Sequence, residues 1–501
     1  MDGNEIELKL AISPQALARL KRLPVLRAHR CGRAKASTLR SIYYDTPDHR
    51  LAAAGITVRL RHGDGGTVQT VKTAGNRASG LFSRREWECA IAGPALNPVQ
   101  LRATGLDLLT DAAVLAALTP VFTTEIRRTV HDLADEDWRV EVAIDVGEVR
   151  AGQDTQPICE VELELKAGRP PALFGLARAI AAAVPVRPLA LSKSDRGYDL
   201  AAGRGPAAVK ARAVVLDGGD SLAEAFRAIA RNCLHHLLAN QQALLDNGDG
   251  EAVHQMRVAL RRLRSALKIF RPLVAGPQLQ PLRDEIRWLL AQLGPARDSE
   301  VFLAEIIAPV VRRHPDQAGL TALYEVWRQQ CADDLAAARA AAGDRRFALL
   351  LLDLGAWVEA GDWSANEAGR QRLAPFARRV LKRLARKLRK AGGKSLRPLS
   401  PPALHQVRIR GKQLRYAAEF FAPLEGKTAT REALARLARL QDCLGQINDI
   451  AVAVPRLAGC HHLGETAWAA GVVAGWHEAR RPDLLATAEA LWADWRKRED
   501  Y

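Results

Sequence analysis

Acidic and basic side chains share the same faces of several segments in the first 200 residues. In an extended strand, residues i, i+2 and i+4 point to one side. This rule groups Glu5 with Glu7 and Lys9, Arg59 with Arg61, Arg84 with Glu86 and Glu88, Glu141 with Asp145, and Glu160 with Glu162, Glu164 and Lys166. If these faces turn inward, like charges crowd together at low dielectric, and only a ligand of mixed charge would neutralise them.

A divalent metal ion with a phosphate chain has the charges that such an interior requires. Carboxylates are the hard oxygen ligands that Mg²⁺ and Mn²⁺ prefer. Arginine and lysine bind phosphate oxygens, and arginine can bind two at once. We therefore expect metal-assisted cleavage of a phosphoanhydride bond. Lys9, Arg59 and Arg61 would hold the phosphate chain, and the metal with arginine would stabilise charge on the transferred phosphoryl group.

A second set of basic side chains lies at helical spacing in the later part of the chain. Three arginines follow a histidine on one helical stripe, and the stripe recurs 151 residues later. The two stripes are His254, Arg257, Arg261 and Arg264, and His405, Arg408, Lys412 and Arg415. LGPARD at 293–298 and LGQIND at 444–449 repeat at the same offset. The pattern predicts two related helical bundles whose basic stripes bind a long anion.

Eight segments of period-2 alternation predict the strands that carry the first set of charges. They are 5–10, 38–46, 56–62, 67–73, 82–91, 122–133, 138–149 and 158–166. Short helices are expected at 14–23, 111–118 and 171–184. Eight strands with one charged face predict a closed barrel or tunnel.

The domain organisation follows from the change in pattern. Residues 1–202 are expected to form the tunnel domain, and the Gly-, Ala- and Pro-rich stretch 203–220 a linker. Long Leu-, Ala- and Arg-rich runs predict an all-α domain at 221–501, with repeats at about 221–370 and 371–501. The fold class is therefore α+β and multi-domain.

The composition limits the partners. The 501 residues carry a formal net charge of +17, of which 1–202 contribute +3 and 203–501 contribute +14. A polyanionic partner is expected for the second part. No specific nucleic acid is expected, because basic residues do not interleave with aromatic ones. No apolar run reaches the roughly 18–20 residues of a membrane span, no signal-peptide pattern is seen, and seven cysteines without a C-x-x-C favour a reducing cytoplasm.

The first part resembles a known family. EIELK at Glu5–Lys9 is similar to the E-x-E-x-K signature of the CYTH superfamily, the triphosphate tunnel metalloenzymes. YYDTPDHRL (43–51), VRLR (58–61), Arg84-x-Glu86-x-Glu88, ICEVELELK (158–166) and LSKSDRGYDL (191–200) follow in the order of that family. The resemblance covers about 1–202. It implies an eight-stranded antiparallel tunnel that binds triphosphate groups and requires a divalent cation, Mg²⁺ or Mn²⁺.

The resemblance also implies a role for each matching residue. Glu5, Glu7, Asp145, Glu160 and Glu162 would hold metal, and Lys9, Arg59, Arg61, Lys72, Arg84, Arg128 and Lys193 would bind the triphosphate. Lys9, Glu160 and Glu162 would be catalytic, with the two glutamates positioning the attacking water. Two alternatives stay open: the functional pair could be Glu162 with Glu164, and Arg127 could replace Arg128.

The two helical repeats resemble the CHAD domain, over about 221–501, which implies binding of inorganic polyphosphate by the eight residues of the two stripes. The tandem order resembles bacterial CYTH–CHAD proteins with inorganic triphosphatase activity. The resemblance implies hydrolysis of tripolyphosphate to pyrophosphate and phosphate, in the cytoplasm or at polyphosphate granules. The alternatives are a nucleoside or thiamine triphosphatase, an adenylate cyclase of the same superfamily, or mainly a polyphosphate-binding scaffold.

Overall fold

The computed structural model describes residues 2–365, 367–424, 427–458 and 465–498. They form two compact units that interleave along the chain. The first unit comprises the described part of 1–209 together with 234–247 and 342–361, and the second comprises the remaining described residues. The domain boundaries expected from the sequence stay a prediction.

Ten strands are described in the first unit. They are β1 (Asp2–Ile12), β2 (Lys35–Asp45), β3 (Ile56–Gly63), β4 (Gly66–Thr73), β5 (Asn76–Ala78), β6 (Leu81–Ile91), β7 (Thr119–Ala134), β8 (Arg139–Ala151), β9 (Asp154–Ala167) and β10 (Val186–Pro188). Their order is β10-β1-β9-β8-β7-β2-β3-β4-β6-β5, and β1 also pairs with β6, which closes an eight-stranded antiparallel barrel. The predicted barrel is confirmed. The three-residue strands β5 and β10 were not predicted, because an alternation cannot show itself over three residues.

The apolar side chains of the strands are buried on the outside of the barrel, and this turns the charged side chains between them toward the interior. Leu8, Leu10, Val142 and Leu163 are at most 1% exposed and belong to one core cluster with the helix at 171–183. Because side chains alternate along a strand, the residues between them face the interior. A slip of one residue would exchange the two sets, so the buried apolar face specifies the register.

Eight short helices accompany the barrel: α1 (Leu17–Leu20), α2 (Pro24–Ala28), α3 (Arg50–Ala53), α4 (Pro98–Arg102), α5 (Asp107–Thr110), α6 (Ala112–Ala116), α7 (Pro171–Ala183) and α8 (Lys193–Ala201). The three predicted short helices correspond to α1 with a preceding 3-10 turn (Pro14–Ala16), α6 and α7. Ser192 and Asp195 form a capping box that starts α8. Tyr198 of α8 packs on Phe122, and a Cβ at Gly197 would lie 2.1 Å from the Phe122 ring, so only glycine fits there.

The remaining helices are α9 (Leu222–Asn247), α10 (Gly250–Ile269), α11 (Arg271–Val274), α12 (Leu279–Val301), α13 (Ala308–Arg313), α14 (Ala318–Gly343), α15 (Arg345–Ala360), α16 (Glu367–Arg370), α17 (Leu373–Gly392), α18 (Pro401–Phe421), α19 (Lys427–Ala458) and α20 (Glu465–Lys497). A π-helical turn (Phe302–Ile307) joins α12 to α13, and a 3-10 turn (Ala422–Leu424) follows α18. The starts of α9 and α17, and of α10 and α18, reproduce the 151-residue offset. The predicted helical C-terminal region is confirmed. Within the described chain, no helix combines the length and apolar character of a membrane crossing.

Two segments of the helical sequence belong to the first unit. They are the second half of α9 and the whole of α15. α15 packs against α7, and a Cβ at Gly355 would lie 2.4 Å from the ring of Phe174. Arg178 of α7 donates to Asp353 of α15 at 2.7 Å. The barrel's apolar outer layer is therefore completed by residues more than 150 positions away in the chain.

Candidate functional site

A cavity of about 320 Å³ occupies the interior of the barrel and is lined mainly by charged side chains. Its ionic residues are Glu5, Glu7, Glu86, Glu88, Glu141, Glu162, Glu164, Lys9, Arg59, Arg61, Lys72, Arg84, Arg128, Lys166 and Lys193. Seven acids thus face eight bases. Of the twelve tunnel residues predicted from the sequence, ten line this cavity. The other two, Asp145 and Glu160, lie just behind its wall and are 0% and 1% exposed.

The carboxylates of Glu5 and Glu7 on β1 are held by cations, two from other strands and one, Lys9, from β1 itself. Arg84 donates from Nε to Glu5 Oε2 at 2.8 Å and from Nη2 to Glu7 Oε1 at 2.6 Å. Lys72 Nζ donates to Glu5 Oε1 at 2.6 Å, and Lys9 Nζ to Glu7 Oε2 at 2.8 Å. Burial alone would raise the pKa of Glu5, but Lys72, Arg84 and Lys9 together lower it well below its usual range. Glu5 is therefore ionised, and both carboxylates are paired with cations.

Three carboxylates from β8 and β9 form a second cluster. One oxygen each from Asp145, Glu160 and Glu162 lies within 4.8 Å of the others. Lys193 pairs with all three, at 2.7 Å from Asp145 Oδ2 and 2.9 Å from Glu162 Oε1. Arg128 donates to Asp145 at 2.8 and 2.7 Å and to Glu162 Oε2 at 2.5 Å. Burial would raise the pKa of Glu162, but Lys193, Lys9 and Arg128 hold it well below its usual range.

The cluster has the donor set of a divalent cation site. Hard carboxylate oxygens are what Mg²⁺ and Mn²⁺ prefer, and Glu160 Oε2 is buried without a hydrogen-bond partner among the described residues. Lys193, Arg128 and Lys9 supply the positive charge at this cluster, so a bound divalent ion would compete with them. Glu164 lies apart from the cluster and pairs with Lys166 at 2.6 Å.

Arg61 differs from the other cations of the cavity. Its Nε donates to Ser41 Oγ at 3.4 Å, and no carboxylate of the described chain lies within ion-pair distance. Burial, with repulsion from Arg59 and Arg128, lowers the pKa of Arg61 to about 10, so it remains charged at neutral pH. An anion in the cavity would neutralise this charge. Of the two adjacent arginines on β7, Arg128 lines the cavity and Arg127 is exposed.

The prediction omitted several lining residues. The strand parity had already grouped Glu86, Glu88 and Glu141 with predicted site residues. Tyr43 lines the cavity while 2% exposed, and Arg59 and Arg61 lower its pKa against the effect of burial. Ser192 and Ser194 also line it. No pattern in the sequence indicated these hydroxyls, because the start of α8 brings them to the barrel.

The second unit contains two adjoining grooves that share Arg261, Lys412 and Tyr416. The mixed groove, of about 690 Å³, is lined by stripe residues from both repeats and by acids. Its ionisable lining is His254, Arg261, Arg297, Glu305, Arg408, Lys412, Arg415, Tyr416, Glu419, Asp442, Asp449, His477 and Arg480. The basic groove, of about 790 Å³, is lined by Arg261, Arg264, Lys268, Arg271, Arg383, Lys387 and Lys412, with no acid in its described lining.

Two predicted stripe residues line neither groove. Arg257 pairs with Asp298 at 3.2 Å, and the His405 ring bonds to Asn448. A Cβ at Gly294 would lie 3.0 Å from Arg257 Nη1. The stripe and the Leu-Gly motif of each repeat are therefore packed against each other, which explains why they recur at one offset.

Burial changes the charge of two groove residues. It lowers the pKa of His254 to about 4, with Arg297 adding to the effect, so this histidine is neutral at neutral pH. Burial, Arg408 and Arg261 lower the pKa of Lys412 to about 7. The charge of the grooves is therefore carried mainly by arginine, and Lys412 titrates near neutrality.

Two domain families match the two parts of the chain. Residues 3–198 match the CYTH domain family, and residues 228–458 match the CHAD domain family. The chain therefore carries a CYTH domain followed by a CHAD domain, and the predicted tandem is confirmed.

Individual relatives are each similar to a part of the chain. An inorganic triphosphatase from Haemophilus influenzae is 34% identical over 194 residues, which are 39% of this chain and 54% of that protein. The matched part thus spans about half the length of this curated relative. The crystal structure of the CHAD domain from the plant Ricinus communis is 33% identical, covers 59% of this chain and 99% of its own, and has a TM-score of 0.53. PptA from Streptomyces chartreusis is 18% identical over 55% of this chain and 99% of its own, with a TM-score of 0.43.

Proposed function

We propose that the barrel hydrolyses inorganic tripolyphosphate to pyrophosphate and phosphate with the help of Mg²⁺ or Mn²⁺. The observation that carries the proposal is the cavity itself, which places eight bases beside seven acids. The similarity of this part to an inorganic triphosphatase supports it. Tyr43 is the single aromatic among the described lining residues, and its ring stacks on Phe122 at 4.4 Å. Ala143 is the one other apolar residue of the described lining, so the cavity offers little apolar surface to a nucleobase, which favours an inorganic substrate over a nucleoside triphosphate.

The basic residues bind the substrate in this proposal. The phosphates are held by Lys9, Arg59, Arg61, Lys72, Arg84, Arg128 and Lys193. Oxygen ligands for divalent ions come from Glu5 and Glu7 on β1 and from the cluster of Asp145, Glu160 and Glu162. When bound, the ion offsets negative charge on the phosphate oxygens. Lys9, Lys72 and Arg84 exchange a carboxylate partner for a phosphate when substrate enters. Glu160 or Glu162 orients the attacking water and accepts its proton.

Phosphate release tests this proposal. Tripolyphosphate, ATP and thiamine triphosphate are compared as substrates of the wild type, Glu5→Gln and Lys9→Ala. Lys35→Ala is the matched control, because the Lys35 side chain is 80% exposed on the same barrel. We expect tripolyphosphate to be the best substrate and both cavity variants to be strongly impaired. Equal release by the wild type and the cavity variants would refute the site, and a preference for ATP or thiamine triphosphate would refute the substrate.

For the helical unit we propose binding of inorganic polyphosphate in the two grooves. The basic groove presents seven basic side chains and no described acid, which suits a long, featureless polyanion. The proposal accounts for the repeated stripes, because the grooves draw on both of them. Association with polyphosphate granules in the cytoplasm would follow from this activity.

Charge reversal tests the grooves. Arg261→Glu, Arg264→Glu and Arg408→Glu should each weaken polyphosphate binding and reduce its salt dependence, because fewer ionic contacts form. Arg312→Glu, at an exposed position outside both grooves, is the control. Unchanged binding in the groove variants would refute polyphosphate binding at this place. A protein that binds polyphosphate but releases no phosphate from any triphosphate would be the scaffold alternative.

A further inference from the structure

The first unit contains a second cavity, of about 320 Å³, that the proposed reaction does not use. We call it the outer cavity. β1, β9, the segment 187–191, α8, the segment 204–206 and the second half of α9 contribute its lining. Fourteen of its 22 lining residues are apolar, among them Ile12, Leu189, Leu191, Leu200 and Leu238. A ligand with an apolar body would therefore fit this space better than a bare inorganic ion.

Two guanidinium groups place positive charge at this apolar surface. Arg187 donates from Nη1 to Gln242 at 2.5 Å, and it has no carboxylate within ion-pair distance among the described residues. Burial and the nearby Arg196 lower the pKa of Arg187, and the Asp246 carboxylate, which also lines the cavity, partly opposes them. The third arginine, Arg204, is already paired with Asp199 at 3.0 Å. An anionic group between Arg187 and Arg196 would offset their repulsion.

A buried carboxamide adds a hydrogen-bond acceptor to the lining. Gln241 is 2% exposed, and its Nε2 donates to the carbonyl of Ala342 at 2.7 Å. Its Oε1 has no hydrogen-bond partner in the described part of the chain. A buried acceptor without a donor costs free energy, which a ligand with an N–H group would recover.

Arg196 links the outer cavity to the barrel interior. Its Nε and Nη2 donate to Gln156 at 3.1 Å and to the carbonyl of Pro157 at 2.5 Å. Its Nη1 lies 3.7 Å from Glu160 Oε2, the oxygen that has no hydrogen-bond partner. An anion that draws Arg196 toward the outer cavity would therefore change the field at Glu160 in the acidic cluster.

We propose that the outer cavity binds a purine nucleoside monophosphate and transmits its occupancy to the acidic cluster through Arg196. The phosphate binds Arg187 and Arg196, the ribose and base lie on the apolar lining, and Gln241 Oε1 accepts a hydrogen bond from a base N–H. Carboxamides form such bonds with purine edges. Binding stands independently of the triphosphatase activity, whereas the transmitted effect rests on it.

Calorimetry on the full chain tests binding with three probes: AMP, ribose 5-phosphate, which lacks the base, and adenosine, which lacks the phosphate. We expect saturable binding of AMP, at least tenfold tighter than either fragment. Arg187→Gln removes one phosphate ligand and should weaken AMP binding about tenfold or more. Arg187→Lys keeps the positive charge, so its affinity for AMP should fall less than that of Arg187→Gln. Leu238→Trp fills the apolar space and should abolish binding while basal hydrolysis of tripolyphosphate is unchanged.

The outcomes separate the parts of the proposal. The site would be overturned if the wild type shows no saturable AMP binding. It would also be overturned if the folded variants Leu238→Trp and Arg187→Gln bind AMP as tightly as the wild type does. Ribose 5-phosphate binding as tightly as AMP would overturn the assignment of the base. A hydrolysis rate that saturating AMP leaves unchanged would overturn the coupling. If the wild type hydrolyses no triphosphate at all, the proposed function fails while the calorimetric result still decides the outer cavity.

Discussion

Replacing Glu162 by glutamine is expected to weaken both the stability and the activity of the barrel. The carboxylate accepts from Arg128 Nη2 at 2.5 Å and Lys193 Nζ at 2.9 Å, and it also pairs with Lys9. Removing one partner of a buried ion pair costs about 3–5 kcal/mol, because the remaining charge stays buried. Glutamine keeps one acceptor oxygen, so we expect the lower end, about 3 kcal/mol. In the proposed reaction the substitution should also lower hydrolysis at least about 100-fold.

Glu164→Gln is the matched control. Glu164 lies two residues further along β9 on the same face, and it lines the same cavity. Within the described chain its ion pair is with Lys166, whose side chain is 45% exposed. Partly exposed pairs of this kind contribute about 0–1 kcal/mol. The comparison therefore keeps the residue type, strand and substitution constant and changes only the surroundings of the carboxylate.

Denaturant unfolding and phosphate release are the two measurements, and pH gives a third check. The cations hold the pKa of Glu162 below its usual value, so its stabilisation is present above about pH 4.5 and is lost as the pH falls through the lower folded-state pKa. The stability difference between the wild type and Glu162→Gln should therefore shrink in strong acid. If Glu164→Gln is as damaging as Glu162→Gln, or if Glu162→Gln leaves stability and rate unchanged, the assignment of the acidic cluster is wrong.

Four further outcomes are expected. Because the pKa of Lys412 is lowered to about 7, polyphosphate binding at pH 8 should take up a proton and weaken with rising pH; calorimetry in buffers of different ionisation enthalpy measures this, and Lys412→Arg should remove the uptake. Arg61→Gln should raise the KM for tripolyphosphate about tenfold while the free energy of unfolding changes by less than about 1 kcal/mol, because Arg61 has no described carboxylate partner. Chelation of divalent ions should stop phosphate release but leave polyphosphate binding by the helical unit unchanged in a filter-binding assay. Gly197→Ala should destabilise the barrel by about 1–3 kcal/mol in thermal unfolding, because its Cβ would meet the Phe122 ring at 2.1 Å.

The sequence alone determined which side chains face the barrel interior. The alternation in EIELKL assigns Glu5, Glu7 and Lys9 to one side and Leu8 and Leu10 to the other, because the side-chain period of a strand is two. The same local rule found all eight barrel strands. The helical period likewise found the basic stripes, and the 151-residue offset found the repeat. These features are properties of short segments, so they can be read without knowing what each segment packs against.

Only the tertiary structure decided which of these residues meet. Glu160, Glu162 and Glu164 share a face, and parity cannot choose among them. The strand register decides which of the three glutamates meet the other charged residues, because β8 places Asp145 opposite Glu160 and β1 places Lys9 opposite Glu162.

The helical period likewise could not predict which groups the stripe residues contact. One stripe residue, Arg257, faces Asp298 instead of a groove, and the basic groove gains cations from α17 that no stripe contains. The packing of α15 on the barrel unit was equally invisible in the sequence. Periodicity is set within a segment, whereas register and packing depend on burying apolar surface contributed by segments far apart in the chain.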